Sequence, residues 1–295
     1  MKIGFSSLAC PGWDLDTIVK QAATLGFQGV ELRGLRGDLN LPLVPDLARH
    51  PDRVRALFAE QQVELVCLGS SASLTAKKAA DRHQNLRIVT EFAELAGRLG
   101  CPFVRVFVGE TSRWDNHPAA LARSGDALMQ MVSVAVRNQV TLVVENGGDF
   151  AGSADLWYLV DAVGHPNVRC CWSQFNAATL RERATTSIPR LGNKIALVHL
   201  SDGDFGDSGA LAAHKPLGAG RVEIGRQIEL LRGLAYNRYL IFESPKLWVE
   251  SLPEPGTALP AAAAFLKAKL AEKQAVLSAY KGDKNAPKLA SAIPA

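Results

Sequence analysis

At 295 residues the chain is long enough for one large α/β domain or two small ones, and its 47% apolar content suits a sizeable buried core. The net charge of +4, from 33 basic against 29 acidic residues, is too small an excess to imply a nucleic-acid partner unless the charges cluster, and no such basic run occurs. Lys77-Lys78 and the Arg181/Arg183 pair read as solvated helix faces. The five cysteines (Cys10, Cys67, Cys101, Cys170 and Cys171) are odd in number and lack C-x-x-C spacing, which argues against a disulfide framework or zinc knuckle and for a reducing compartment. No apolar run approaches the ~18 residues needed to cross a bilayer. The opening Met1–Cys10 faintly resembles a lipoprotein signal, but its apolar stretch is short and broken by Gly and Ser. It reads as a first strand, and the protein as cytoplasmic.

Short apolar runs alternate with longer segments of 3.6-residue period. A first strand, Lys2–Ser7, leads into a helix over Asp14–Leu25, with Asp14 as cap and Leu15, Ile18, Val19 and Ala22 as apolar stripe. Strands Gly29–Arg33 and Val63–Gly69 flank a helix over Pro51–Gln62, and a long helix, Ala80–Leu99, precedes strand Phe103–Val108. Gly26 and Gly100 stand where helices end in the left-handed conformation. Then come helix Pro118–Asn138, strand Val140–Glu145, helix Ser153–Val163, strand Val168–Ser173 and a weaker helix over Ala177–Leu191. Strand Ile195–Ser201 is followed by a long loop, Asp202–Gly220, then helix Ile224–Leu234, strand Tyr239–Glu243 and a last helix, Leu259–Tyr280.

Eight strand–helix units in series predict a single closed (β/α)8 TIM barrel over residues 1–281. Residues 282–295 have no apolar period and read as a disordered tail. No Gly-rich phosphate-binding fingerprint stands at a strand-to-helix turn, which counts against an open nucleotide-binding sheet.

In such a barrel the C-terminal strand ends line the active-site mouth. Those ends carry Glu31 and Arg33, Ser70 and Ser71, Glu110, Glu145 and Asn146, Ser173, His199 and Ser201, and Glu243. Val143-Val144-Glu145 and Ile241-Phe242-Glu243 each close an apolar strand with a carboxylate, which is costly to bury unless it meets a cation, a metal or a set of donors. Two glutamates and a histidine suit a hard or borderline divalent cation, which would polarise a sugar carbonyl while a glutamate moves the proton on the neighbouring carbon.

Across nearly its whole length the chain resembles the xylose isomerase-like barrels, the sugar phosphate isomerases/epimerases. The likeness runs from Ile3-Gly4-Phe5-Ser6 and Leu25-Gly26-Phe27-Gln28-Gly29-Val30-Glu31-Leu32 through Val144-Glu145-Asn146, Val198-His199-Leu200-Ser201-Asp202 and Pro216-Leu217-Gly218-Ala219-Gly220 to Phe242-Glu243. It implies a carbohydrate substrate, self-association, and a divalent metal (Mn2+, Mg2+, Co2+ or Zn2+) on a Glu, Asp, His, Glu ligand set. Glu145, His199 and Glu243 match three ligands, while the position of the aspartate is Ser173, in Ser173-Gln174-Phe175-Asn176. Losing that carboxylate weakens a metal site, with Asn176 or Gln174 left to offer a neutral oxygen.

Two readings follow. In one, the chain is a sugar isomerase or epimerase in which Glu145 and Glu243 are ligands and acid–base groups and His199 is a third ligand. In the other it is a metal-deficient barrel that binds carbohydrate or regulates. Glu31, Arg33, Arg105, Asn176, His214, Lys215 and Trp248 are candidate substrate contacts, and Trp114 is a further ring for a sugar face. The plainer alternatives are a Glu31–Arg33 pair at the rim, salt bridges from Glu145 and Glu243 to Arg33 or Arg105, a core role for His199, and a solvated loop around His214 and Lys215.

Overall fold

The structure is a computed structural model that describes residues 1–111 and 115–282. Trp114 and the tail from residue 283 lie outside the described residues. Parallel strands β1 (Lys2–Ser6), β2 (Gly29–Leu32), β3 (Glu64–Ser73), β4 (Phe103–Phe107), β5 (Thr141–Glu145), β6 (Val168–Ser173) and β7 (Ile195–Leu200) run in sequence around a barrel. It is closed by β10 (Tyr239–Phe242), which pairs with both β7 and β1. The helices α1 (Leu15–Leu25), α2 (Pro45–Ala48), α3 (Pro51–Glu60), α4 (Ala79–Leu99), α5 (His117–Arg137), α6 (Ser153–Val163), α7 (Gln174–Ala178), α8 (Ala184–Leu191), α9 (Ile224–Gly233) and α10 (Pro255–Gly282) occupy the connections.

Local chemistry fixes several boundaries. Asp14 accepts a hydrogen bond from the Thr17 amide at 2.8 Å and so caps α1, whose buried stripe is Leu15, Ile18, Val19 and Ala22. Gly26 (φ +75°) and Gly100 (φ +68°) end α1 and α4 in the left-handed region, where a side chain is disfavoured. All five cysteines are free and buried, and among the described residues no helix is long and apolar enough to cross a membrane.

Two sequence readings are corrected, and one element is added. The helix expected over Ala177–Leu191 is two: Ser173 caps the short α7, Arg181 takes φ +57°, and the chain restarts at α8. The long loop Asp202–Gly220 contains an antiparallel arm, β8 (Asp202–Phe205) with β9 (Leu211–Lys215). Its base is locked by Asp202, whose carboxylate accepts from the backbone amides of Gly203, Gly218, Gly220 and Val222 at 2.8–3.1 Å. Between β2 and α3 the chain also turns through the short helix α2.

Two apolar clusters divide the interior. The larger joins the helices to the outward faces of the strands, and the smaller (Val66, Cys67, Val143, Cys171, Ala196, Leu197, Tyr239 and Ile241) fills the barrel itself. Side chains two apart along a strand share a face. One step above Val143, Leu197 and Ile241 therefore stand Glu145, His199 and Glu243, and the apolar plug is capped by a polar layer.

Candidate active site

The polar layer is centred on His199, which is 1% exposed. Its Nδ1 lies 2.9 Å from Glu145 Oε1 and 3.6 Å from Glu243 Oε2, and its Nε2 lies 2.9 Å from Glu31 Oε2. A ring that faces a carboxylate from each nitrogen donates from both and is an imidazolium. Burial alone would lower its pKa, but Cys171, Glu31, Glu145 and Glu243 around it hold it well above the ordinary histidine value. Burial likewise works to raise Glu31, yet His199, Arg105 and a hydrogen bond from Ser6 (3.1 Å) bring it down to about 2.

Arg105, fully buried, faces the same group. Its Nε is 3.1 Å from Glu145 Oε2, with the N–H turned off the line, so charge rather than an aligned hydrogen bond holds the pair. Its Nη1 donates to the Ser70 carbonyl at 2.9 Å, and the guanidinium lies 3.8 Å from the centre of the Phe107 ring. Glu243 differs from the other two glutamates. Its side chain keeps 19% of its exposure against 0% for Glu31 and 2% for Glu145. Burial, with Glu145 and Glu31 adding to it, pushes Glu243 up to about 7 against the pull of His199 and Arg105.

A cavity of about 530 Å3 opens onto Glu243. Its walls are Ser201 and Asp202, the β9 residues including His214 and Lys215, the segment after β10, and the start of α10. His214 stacks on Phe175 at 5.4 Å, and its pKa is lowered by partial burial. Lys215 is exposed, 3.4 Å from Asp204. Trp248, 56% exposed, lies over the Arg33 guanidinium at 5.8 Å.

The sequence-derived residues thus fall into three groups. Glu31, Arg105, Glu145, His199 and Glu243 converge. Glu31 pairs with His199 rather than Arg33, because side chains two apart on a strand differ in height by about 6.6 Å and Arg33 stands one layer further out. Ser173 and Asn176 are tied into a knot between strand ends: Asn146 Oδ1 accepts from Ser173 N (2.8 Å), Asn176 Nδ2 donates to the Asn146 carbonyl (2.7 Å), and Ser173 Oγ accepts from Asn176 N (3.3 Å). Glu110 is exposed. Sequence reasoning missed Cys171, whose thiol burial pushes up to about 12 directly beneath His199, and the Asp202 lock. The parity of Cys171 with Ser173 in β6 was the available signal for the first.

Glu145, Cys171 and His199 each offer a ligand atom, all within 4.8 Å of one another. The donors are nonetheless committed elsewhere: both His199 nitrogens face carboxylates, Glu145 is divided between His199 and Arg105, and Ser173 Oγ caps α7. A divalent ion on Glu145 would sit against a buried guanidinium. As arranged, these residues do not fit a resident divalent metal.

No protein of curated function matches the chain. Among solved structures it resembles an L-ribulose 3-epimerase (18% identity, 97% of this chain and 99% of the other, TM-score 0.76). It also resembles a D-psicose 3-epimerase with D-tagatose from Clostridium cellulolyticum H10 (17%, 91% and 98%, TM-score 0.74) and a 3-keto-D-glucoside 4-epimerase from E. coli (16%, 91% and 99%, TM-score 0.73). At such identities the likeness is one of fold. The model of the xylose isomerase-like TIM barrel family matches residues 19–269, and the chain belongs to that family.

Proposed function

We propose that the protein is a sugar isomerase or epimerase that moves a proton at a carbon beside a carbonyl, with Glu243 as the acid–base group. One observation carries this reading: Glu243 is the carboxylate of the cluster that reaches the cavity, and its pKa of about 7 lets it take and return a proton at neutral pH. Behind Glu243, His199 at 3.6 Å and Arg105 are preorganised positive groups that favour its carboxylate form and act on charge developing beside it. Glu31 and Glu145 hold the imidazolium in place. On another wall His214 and Lys215 stand ready to meet the substrate from the β8–β9 arm, a second donor for a reaction that inverts the carbon. The solved epimerases of the same fold support a carbohydrate substrate.

The test is exchange of substrate carbon-bound hydrogen with D2O across ketopentoses, ketohexoses and their derivatives, with chelator present. Exchange that disappears in Glu243→Gln supports the assignment. No exchange with any sugar, alongside saturable sugar binding, would favour the carbohydrate-binding reading, for which the Ser173 substitution and the committed donors already argue.

A further inference from the structure

Arg33 is a buried cation with no carboxylate in contact. The residue is 4% exposed, yet among the described residues no carboxylate lies within 4.0 Å of it. Only its Nη2 is engaged, donating to Ser71 Oγ at 3.0 Å, while Nε and Nη1 are buried and have no hydrogen-bond partner. Burying a charge in this state is expensive, and leaving its donors unmet adds to the cost. A second guanidinium, Arg105, works against its charge, while the carboxylates of Glu31, Glu243 and Glu145 favour it from more than 4.0 Å away. Arg33 is lowered to about 10, first by burial and then by Arg105.

The chain is shaped to keep the two guanidiniums side by side. Gly69 separates them: a Cβ there would stand 2.6 Å from Arg33 Cδ and 3.1 Å from Arg105 Nη2. Arg105 is paired in charge with Glu145 at 3.1 Å and donates to the Ser70 carbonyl, so of the two guanidiniums Arg33 is the one with no carboxylate in contact. What lies over it is the Trp248 ring, on the segment that links β10 to α10 and also walls the cavity at Glu243.

We propose that Arg33 anchors an anion subsite at the barrel mouth, taking a carboxylate or phosphate group that seats under Trp248 and accepts from one of the two unmet donors, Nε–H or Nη1–H. That donor, together with the remaining N–H of Nη2, makes a planar edge suited to bidentate binding of such oxygens. Resting on the reading of the mouth as a sugar site, the inference makes the substrate an anionic sugar, a sugar acid or sugar phosphate, held by its charged end at Arg33 with its reacting carbon toward Glu243.

Calorimetric titration with D-glucuronate, glucose 6-phosphate, inorganic phosphate and neutral glucose, at constant ionic strength in chloride, tests this. Saturable binding of glucuronate identifies a carboxylate subsite and binding of the phosphates a phosphate subsite; either supports the proposal when glucose binds much more weakly. Arg33→Met should weaken the anion about thirtyfold or more, as expected for a lost charge-assisted contact. Arg33→Lys, which keeps the charge and loses the fork, should fall between, and guards against a folding defect in the first variant. Binding by Arg33→Met equal to that of the wild type, or no saturable binding by any anion, overturns the subsite. D2O exchange by the wild type separates the two proposals: anion binding present while exchange is absent leaves the subsite standing and removes the isomerase reading.

Discussion

Replacing Arg105 by Met probes the centre of the polar layer. The side chains of Arg105 and Glu145 are 1% and 2% exposed, and the substitution keeps most of the volume while removing the charge. Breaking a buried ion pair on one side typically costs about 3–5 kcal/mol, because the partner is left charged and unpaired. Loss of the hydrogen bond to the Ser70 carbonyl adds about 1 kcal/mol. His199 remains 2.9 Å from Glu145 and shares the burden, which sets the expectation at the low end, about 3 kcal/mol. Urea unfolding followed by tryptophan fluorescence measures it, with the double variant Arg105→Met/Glu145→Gln as the companion. Removing both charges should recover much of the loss, since a paired replacement leaves nothing stranded. A loss below about 1 kcal/mol in the single variant, or strict additivity in the double, would refute a guanidinium–carboxylate pair as the element that fixes the layer.

Further outcomes follow from the same geometry. With Glu243 raised to about 7, turnover should rise with pH through neutrality as the base form fills, and Glu243→Gln should abolish it; a flat kcat profile from pH 6 to 8 speaks against the assignment. The stability sign is opposite: the folded protein holds this proton more tightly than the unfolded chain, so wild-type stability should decline relative to Glu243→Gln between pH about 4.5 and 7, seen as a widening gap in Tm. Removing the lock with Asp202→Ala strands the amides of Gly203, Gly218, Gly220 and Val222, and should cost about 3 kcal/mol with faster hydrogen exchange across 216–222. The double variant Arg105→Ala/Ser173→Asp returns the carboxylate and removes the competing cation, so Mn2+ should raise its Tm by several degrees while leaving the wild type unmoved.

The barrel was legible because its evidence is repetitive. Each strand is a short apolar run, each helix a 3.6-residue pattern, and glycines such as Gly26 and Gly100 mark the joints. Glu145, His199 and Glu243 were legible for the same reason, since a polar residue closing an apolar strand on the inward parity must meet others like it. Arg105 was harder. It stands in the middle of Phe103-Val104-Arg105-Val106-Phe107, and its parity with inward-facing Phe103 shows the direction of the side chain but not that Glu145 is its partner. The Glu31–Arg33 pairing failed because adjacency on a strand face is not contact: Glu31 sits level with His199, across the barrel. The β8–β9 arm left little trace, as Leu211-Ala212-Ala213-His214-Lys215 is largely exposed and has no buried face to impose a pattern.

The most direct measurement is D2O exchange into a turned-over sugar by protein stripped of metal with chelator, its metal content read by mass spectrometry on the same sample. Exchange at an undiminished rate with less than stoichiometric metal, lost in Glu243→Gln, is the expected result. A stoichiometric divalent ion whose removal stops exchange would contradict a centre whose positive charge is supplied by Arg105 and His199.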